Sequence, residues 1–139
     1  MIIVDTNVVS ELMRPAPAPA VVRWVRSRAG RELCTTSVTL AEIRYGIARL
    51  PEGRRKTELM TTAEEVFAAF EEQILPFDAP ATVHYATIAC ARERAGAPID
   101  GLDAQIAAIC RTHQATLATR NLKDFRGTGI DVIDPWSQT

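Results

Sequence analysis

Cysteine is scarce in this chain: Cys34, Cys90 and Cys110 are the only three among 139 residues. An odd count, with no Cys-x-x-Cys and no His at ligand spacing, argues against a disulfide framework and a zinc site. It predicts reduced core thiols in a cytoplasmic protein. Long apolar runs are missing too. No stretch approaches the roughly 20 residues a membrane span needs, and the first residues lack the basic flank and apolar segment of a secretory signal. No membrane partner is expected. Nor is there a large charge of one sign: 16 basic against 17 acidic residues leave a formal net charge of −1. That excludes a protein drawn to nucleic acid by its overall charge.

What is present is the composition of a folded domain, 47% hydrophobic and 24% charged. The length suits one domain over residues 1–139 with a single core. The basic residues are strongly biased, with Lys56 and Lys123 the only lysines among the 16. Arginine offers a planar fork suited to phosphate, so its placement matters more than its number. Arg44, Arg49, Arg54, Arg55 and Lys56 gather around Pro51-Glu52-Gly53. They read either as a solvated helix face and turn or as a patch for a phosphate backbone.

Strand and helix signals alternate along the chain. Ile2-Ile3-Val4 reads as a strand covered on both faces, followed by a helix over residues 7–13. After the connector "RPAPAPA", Pro19 opens a helix that should end at Gly30. A strand is expected at 33–36 and a helix from Thr39, with Leu40, Ile43, Ile47 and Leu50 on one face and Pro51 as its stop. A long helix should cover 54–72, a strand 74–77, and a helix from Pro80 to Gly96. A further helix runs from Asp103 to His113, with strands at 116–118 and 132–133. This alternation predicts an α/β sandwich around a mostly parallel sheet.

Asp5 directly follows the first strand, where open parallel sheets bind ligands. Glu42, Asp103, Asn121 and Asp124 also fall near strand exits or helix starts. Each has an ordinary explanation. Asp5 or Thr6 could be an N-cap; Thr39-x-x-Glu42 fits a capping box; Asp103 could cap its helix; Asp124 could be a turn residue. Capping does not require one shared rim, however, and this topology supplies one. Clustered carboxylates raise one another's pKa unless a cation sits among them, and all-oxygen donors favour Mg²⁺ or Mn²⁺.

Five blocks in order, "IIVDTNVVSELMRP", "TTSVTLAEIRYGIARLPEGRR", "DAQIAAI", "ATLATRNLKDF" and "VIDPW", resemble a VapC-type PIN domain of the FitB-like branch. The resemblance spans residues 2 to about 136. It implies a three-layer α/β/α sandwich and a metal-dependent endoribonuclease acting as the toxin of a type II toxin–antitoxin pair. Asp5, Glu42 and Asp103 match three acidic site positions. At the fourth, many relatives carry Asp where this chain has Asn121, and Asp124 is the acid available nearby. Thr6, Asn7, Thr119 and Asn121 are then the polar groups around the carboxylates. The implied partners are RNA, a VapB-like antitoxin whose C-terminal segment covers the site, and a second copy of the chain. The apolar face around residues 59–70 could serve that dimer or simply its own core.

Among aromatic side chains, Trp24, Tyr45 and Tyr85 are candidates for stacking on RNA, with core packing the better reading for Trp24, and Trp136 reads as packing. His84 and His113 stand in helical runs with no nucleophile beside them. A haloacid-dehalogenase-type phosphatase needs Asp-x-Asp, and the third residue here is Asn7. A receiver domain needs an acidic pair that is missing. The alternative from another class is a catalytically weak or inactive PIN scaffold that binds antitoxin and the operator complex, and the departure at Asn121 leaves room for it.

Overall fold

The computed structural model describes residues 1–28 and 32–138. Its centre is a strand of three β-branched or aliphatic residues, β1 (Ile2–Val4), all buried. Strand side chains alternate between faces, and β1 divides its own accordingly. Ile2 and Val4 join one core cluster and Ile3 the other.

The elements follow as α1 (Thr6–Leu12), α2 (Pro19–Ser27), β2 (Leu33–Thr36), α3 (Ser37–Ala48) and α4 (Arg54–Phe70). Then come β3 (Ile74–Leu75), α5 (Ala79–Arg94), α6 (Gly101–His113), β4 (Thr116–Ala118), a 3-10 turn at Leu122–Phe125 and β5 (Val132–Ile133). The sheet order is β3-β2-β1-β4-β5, with every strand pair parallel. Both faces are covered. Val8 and Val9 of α1, Trp24 of α2, Ile43 and Ile47 of α3 and Phe67 and Phe70 of α4 pack on one side. Ile88 of α5 and Ile106 and Ile109 of α6 pack on the other, beneath Ile3 and Leu117. The three-layer α/β/α sandwich is therefore present.

Several boundaries differ from the sequence reading. The helix expected from Thr39 begins at Ser37, because Thr36 caps it by accepting a hydrogen bond from the Thr39 amide (3.1 Å). The helix expected to end at Gly30 stops at Ser27, with Arg28 as its C-cap; Gly30 lies outside the described residues. The strand expected over 74–77 ends at Leu75, because Pro76 has no N–H to give a ladder. Gly96 follows α5 with φ 73°, the left-handed conformation that closes a helix and that glycine adopts without penalty. The face around 59–70, offered for dimerisation, is spent on the chain's own core: Ala63, Phe67 and Phe70 are buried, and Leu59 and Val66 pack against them.

Strand order reverses at β1. The chain leaves β1 for β2 on one side and later places β4 on the other. A crevice at the carboxyl ends is the usual result of such a reversal.

Candidate active site

Asp5 occupies that crevice. It stands at the end of β1 and at the N-cap position of α1. Its Oδ1 accepts from the Thr6 amide (2.8 Å), so the cap reading is half right. A cap alone does not explain the other oxygen. Oδ2 accepts from the Thr119 hydroxyl (2.8 Å) and from the Asn7 side-chain amide (3.4 Å), and the residue is only 4% exposed. Thr119, at the exit of β4, is fully used. Its hydroxyl donates to Asp5 and accepts from Asn7 Nδ2 (3.0 Å) and the Asn121 amide (3.1 Å). One donor and two acceptor positions are all a hydroxyl has. Asn7 Oδ1 in turn accepts from the Arg120 amide (3.2 Å). The loop after β4 is thereby fastened to the loop after β1 around one carboxylate.

Glu42 lies in the second turn of α3 rather than the first, because the helix begins earlier than its sequence suggests. The capping-box alternative fails with it. Glu42 Oε1 accepts from the Thr6 hydroxyl (2.9 Å), while Thr36 serves the Thr39 amide. Thr6 also meets the Thr39 hydroxyl at 3.2 Å. It thus joins the Asp5 and Glu42 segments through its amide and its hydroxyl.

Asp103 does not cap α6. Asp100 does, its Oδ1 accepting from the Leu102 and Asp103 amides (2.9 and 3.4 Å). The half-buried Asp103 carboxylate makes no side-chain hydrogen bond among the described residues. Burial, and then the charges of Asp5, Asp100, Asp124 and Glu42, push its pKa up to about 7. Asp5 and Glu42 are raised as well, each mainly by burial. Thr119 and Thr6 pull Asp5 back down, and Thr6 does the same for Glu42. The negative charges therefore act on one another across four separate chain segments.

Asp5, Thr6, Asn7, Glu42, Asp103 and Asn121 line one cleft of about 560 Å³. Asp124 sits on the exposed 3-10 turn. It does not line the cleft, yet its charge reaches both Asp5 and Asp103. Among the described residues, no three His, Cys, Asp or Glu side chains form a preassembled metal cage. His84 and His113 do not line the cleft.

The basic patch fares unevenly. Arg44 pairs with Glu64 (2.5 Å) and lies over the Phe67 ring. Lys56 is held by Glu52 (2.6 Å) and the Ala48 carbonyl (3.2 Å). Arg55 lines a neighbouring groove and Arg54 is exposed. Trp24 is core, as its setting suggested. Tyr85 packs edge-on against Phe77, and Tyr45 is exposed beneath Arg49. Trp136 does more than pack: it also lines the cleft. The sequence reading missed five lining or flanking residues: Ser10, Glu11, Arg14 and Arg120 in the lining, and Asp100 beside Asp103. Asp100 carried a signal, an aspartate directly before the Gly101 start of an apolar helix. Glu11, buried in a helix and accepting from the Ala18 amide (2.8 Å), carried none.

Fold and cleft together define an α/β protein with a carboxylate-rich crevice, lined by no described His or Cys, at the carboxyl edge of a parallel sheet. The chain belongs to the PIN domain family, whose model matches residues 2–130. It is similar to the VapC ribonuclease Y4jK of Sinorhizobium fredii, with 37% identity over 98% of both chains. It has the same identity to the toxin FitB of Neisseria gonorrhoeae, over 98% of this chain and 99% of that one. The FitAB structure bound to an IR36 DNA fragment superposes with a TM-score of 0.91 at 36% identity, covering 100% of this chain and 98% of that one.

Proposed function

We propose that this chain, as a single PIN domain over residues 1–139, is a metal-dependent endoribonuclease and the toxin of a toxin–antitoxin pair. The observation that carries the reading is the convergence of Asp5, Glu42 and Asp103 on one cleft, with their pKa values all raised. Y4jK and FitB support it by name. Four mutually repelling acids need a cation, and the donor set is entirely oxygen. Mg²⁺ or Mn²⁺ fits, because such an ion binds through one or two carboxylates and keeps several waters, with no three-acid cage required. Asp5 and Asp103 would hold it, with Glu42 and Asp124 as the further acids near it. When bound, the ion supplies charge neutralisation at the phosphate and a more acidic water.

The chain's own residues do the rest. Thr6, Asn7 and Thr119 lock Asp5 in one rotamer, so its orientation costs nothing at the moment of reaction. Glu42, with its raised pKa, takes the proton of the attacking water. The phosphodiester then opens by water addition at phosphorus and departure of the 3′ oxygen. Asn121 lines the cleft beside Thr119 and offers an amide to water or phosphate.

The antitoxin would cover this site. A groove of about 680 Å³, lined by Met13, Ile43, Ile47, Leu50 and Leu59, shares Thr6, Ser10, Arg14 and Glu42 with the acidic cleft. An apolar segment ending in a basic side chain suits both. A second copy of the chain is the further partner proposed, and no described helix is long and apolar enough to cross a membrane.

The test is a Mn²⁺ titration by calorimetry on antitoxin-free protein, beside Asp103→Asn, with RNA cleavage assayed on both. Binding by the wild type that the substitution weakens at least tenfold, together with lost cleavage, is the expected result. The second reading, a non-cutting scaffold for antitoxin and operator, draws on Asn121 in place of an acid. It wins if folded wild type neither binds Mn²⁺ nor cuts RNA yet still binds its partner.

A further inference from the structure

The acidic cleft must admit a polyanion, so the cations at its mouth decide how the substrate is held. Arg14 and Arg120 are the two that line it. Arg14 is already engaged, 3.4 Å from Glu11. Arg120 has no ion pair among the described residues.

Its placement is nonetheless fixed at two points. The main-chain amide donates to Asn7 Oδ1 at 3.2 Å, and Asn7 also holds Asp5 and Thr119. The guanidinium lies over the Trp136 ring, its central carbon 4.9 Å from the centroid. Trp136 is steadied in turn by its amide, which donates to Asp134 Oδ1 at 2.9 Å. Held over the ring and making no hydrogen bond or ion pair of its own among the described residues, the guanidinium keeps its N–H donors for another acceptor. That planar fork matches two oxygens of a phosphate.

Resting on the ribonuclease reading above, we propose that Arg120 clamps an RNA phosphate at the mouth of the acidic cleft, and that Trp136 is the positioning residue that presents it. The clamp lies on the loop that also carries Thr119 and Asn121, so phosphate and carboxylates are registered by one short segment. This moves the principal backbone contact away from Arg44 and Lys56, whose charges are answered within the chain.

The experiment uses total transfer RNA as the probe, with wild type, Arg120→Gln, Arg120→Lys and Trp136→Leu. Binding is followed by anisotropy without divalent ions over a range of salt, and cleavage with Mn²⁺. Arg120→Gln should weaken binding about tenfold and lower the salt slope by about one. In cleavage it should raise KM with kcat little changed. Arg120→Lys, which keeps the charge without the fork, should restore the slope but not the full affinity. Trp136→Leu should raise KM in the wild type and have no further effect beside Arg120→Gln, an outcome that loss of packing alone would not produce. Unchanged affinity and slope for a folded Arg120→Gln overturn the clamp. Wild type that binds RNA but never cuts it overturns the ribonuclease reading, while the slope still decides Arg120. Wild type that does not bind RNA overturns both.

Discussion

Asp103 shows most directly how the site trades stability for chemistry. An unfolded Asp titrates near 3.8, whereas in the folded chain burial and four neighbouring charges hold this one at about 7. The folded state binds the proton more tightly, so the contribution to stability is complete below about pH 3.8 and is lost as pH rises through about 7. Asp5 and Glu42 shift the same way. Metal-free protein should therefore melt at progressively lower temperature from pH 5 to pH 8. Asp103→Asn should flatten that dependence and melt higher than wild type at pH 8. Thermal melts in EDTA across this range check it, and equal slopes for the two proteins would remove Asp103 from the charge cluster. That the residue mattered was legible in "DAQIAAI". That it was not the cap was not legible, because "DGLD" offers two aspartates at the start of one helix and sequence spacing does not say which carboxylate turns back.

Two short caps set the site at the level of elements. Thr36 starts α3 three residues before Thr39, and this early start carries Glu42 one turn into the helix and within 2.9 Å of Thr6. Asp100 starts α6 and places Asp103 in its first turn. Asp100 also adds charge that Asp103 and Glu42 feel, so its two roles are separable by substitution. Asp100→Ala removes the cap and should cost about 0.5–2 kcal/mol, partly offset by relief of repulsion. Asp100→Asn keeps a good cap and removes the charge. It should leave stability unchanged or higher at neutral pH and move the Asp103 titration downward. Urea unfolding and an NMR pH titration of the Asp103 carboxyl check both; an unmoved titration would show that Asp100 acts only as a cap. Helix existence was readable from apolar spacing here. The exact starts were not, because hydroxyl caps such as Thr36 are common and only the fold selects among them.

For the whole molecule, the sheet order explains why five sequence blocks belong together. β1 lies between β2 and β4, so carboxylates from the start and the later part of the chain meet at one edge. Alternating strand and helix signals were enough for the fold class. They also put Asp5, Asp103 and Asp124 on one rim, but not the charge of Asp100 among them, since no local pattern measures distances between side chains. A cation that answers those charges binds the folded state alone and should raise the melting temperature by mass action. Because protons and metal compete for the same oxygens, the rise with Mn²⁺ should be larger at pH 8 than at pH 6. Differential scanning calorimetry checks this, and a rise independent of pH would place the ion away from the carboxylates.

The bond between Asp5 and Thr119 spans 114 positions of sequence. A ribosome makes Asp5, Glu42 and Asp103 well before it reaches Thr119 and the loop that fastens Asp5 in place. Closing so long a loop comes late in folding as well, since its entropy must be overcome before the contact is gained. A chain released before Thr119 therefore carries the acids without the frame that aims them, and the site is assembled only once the loop after β4 has been made.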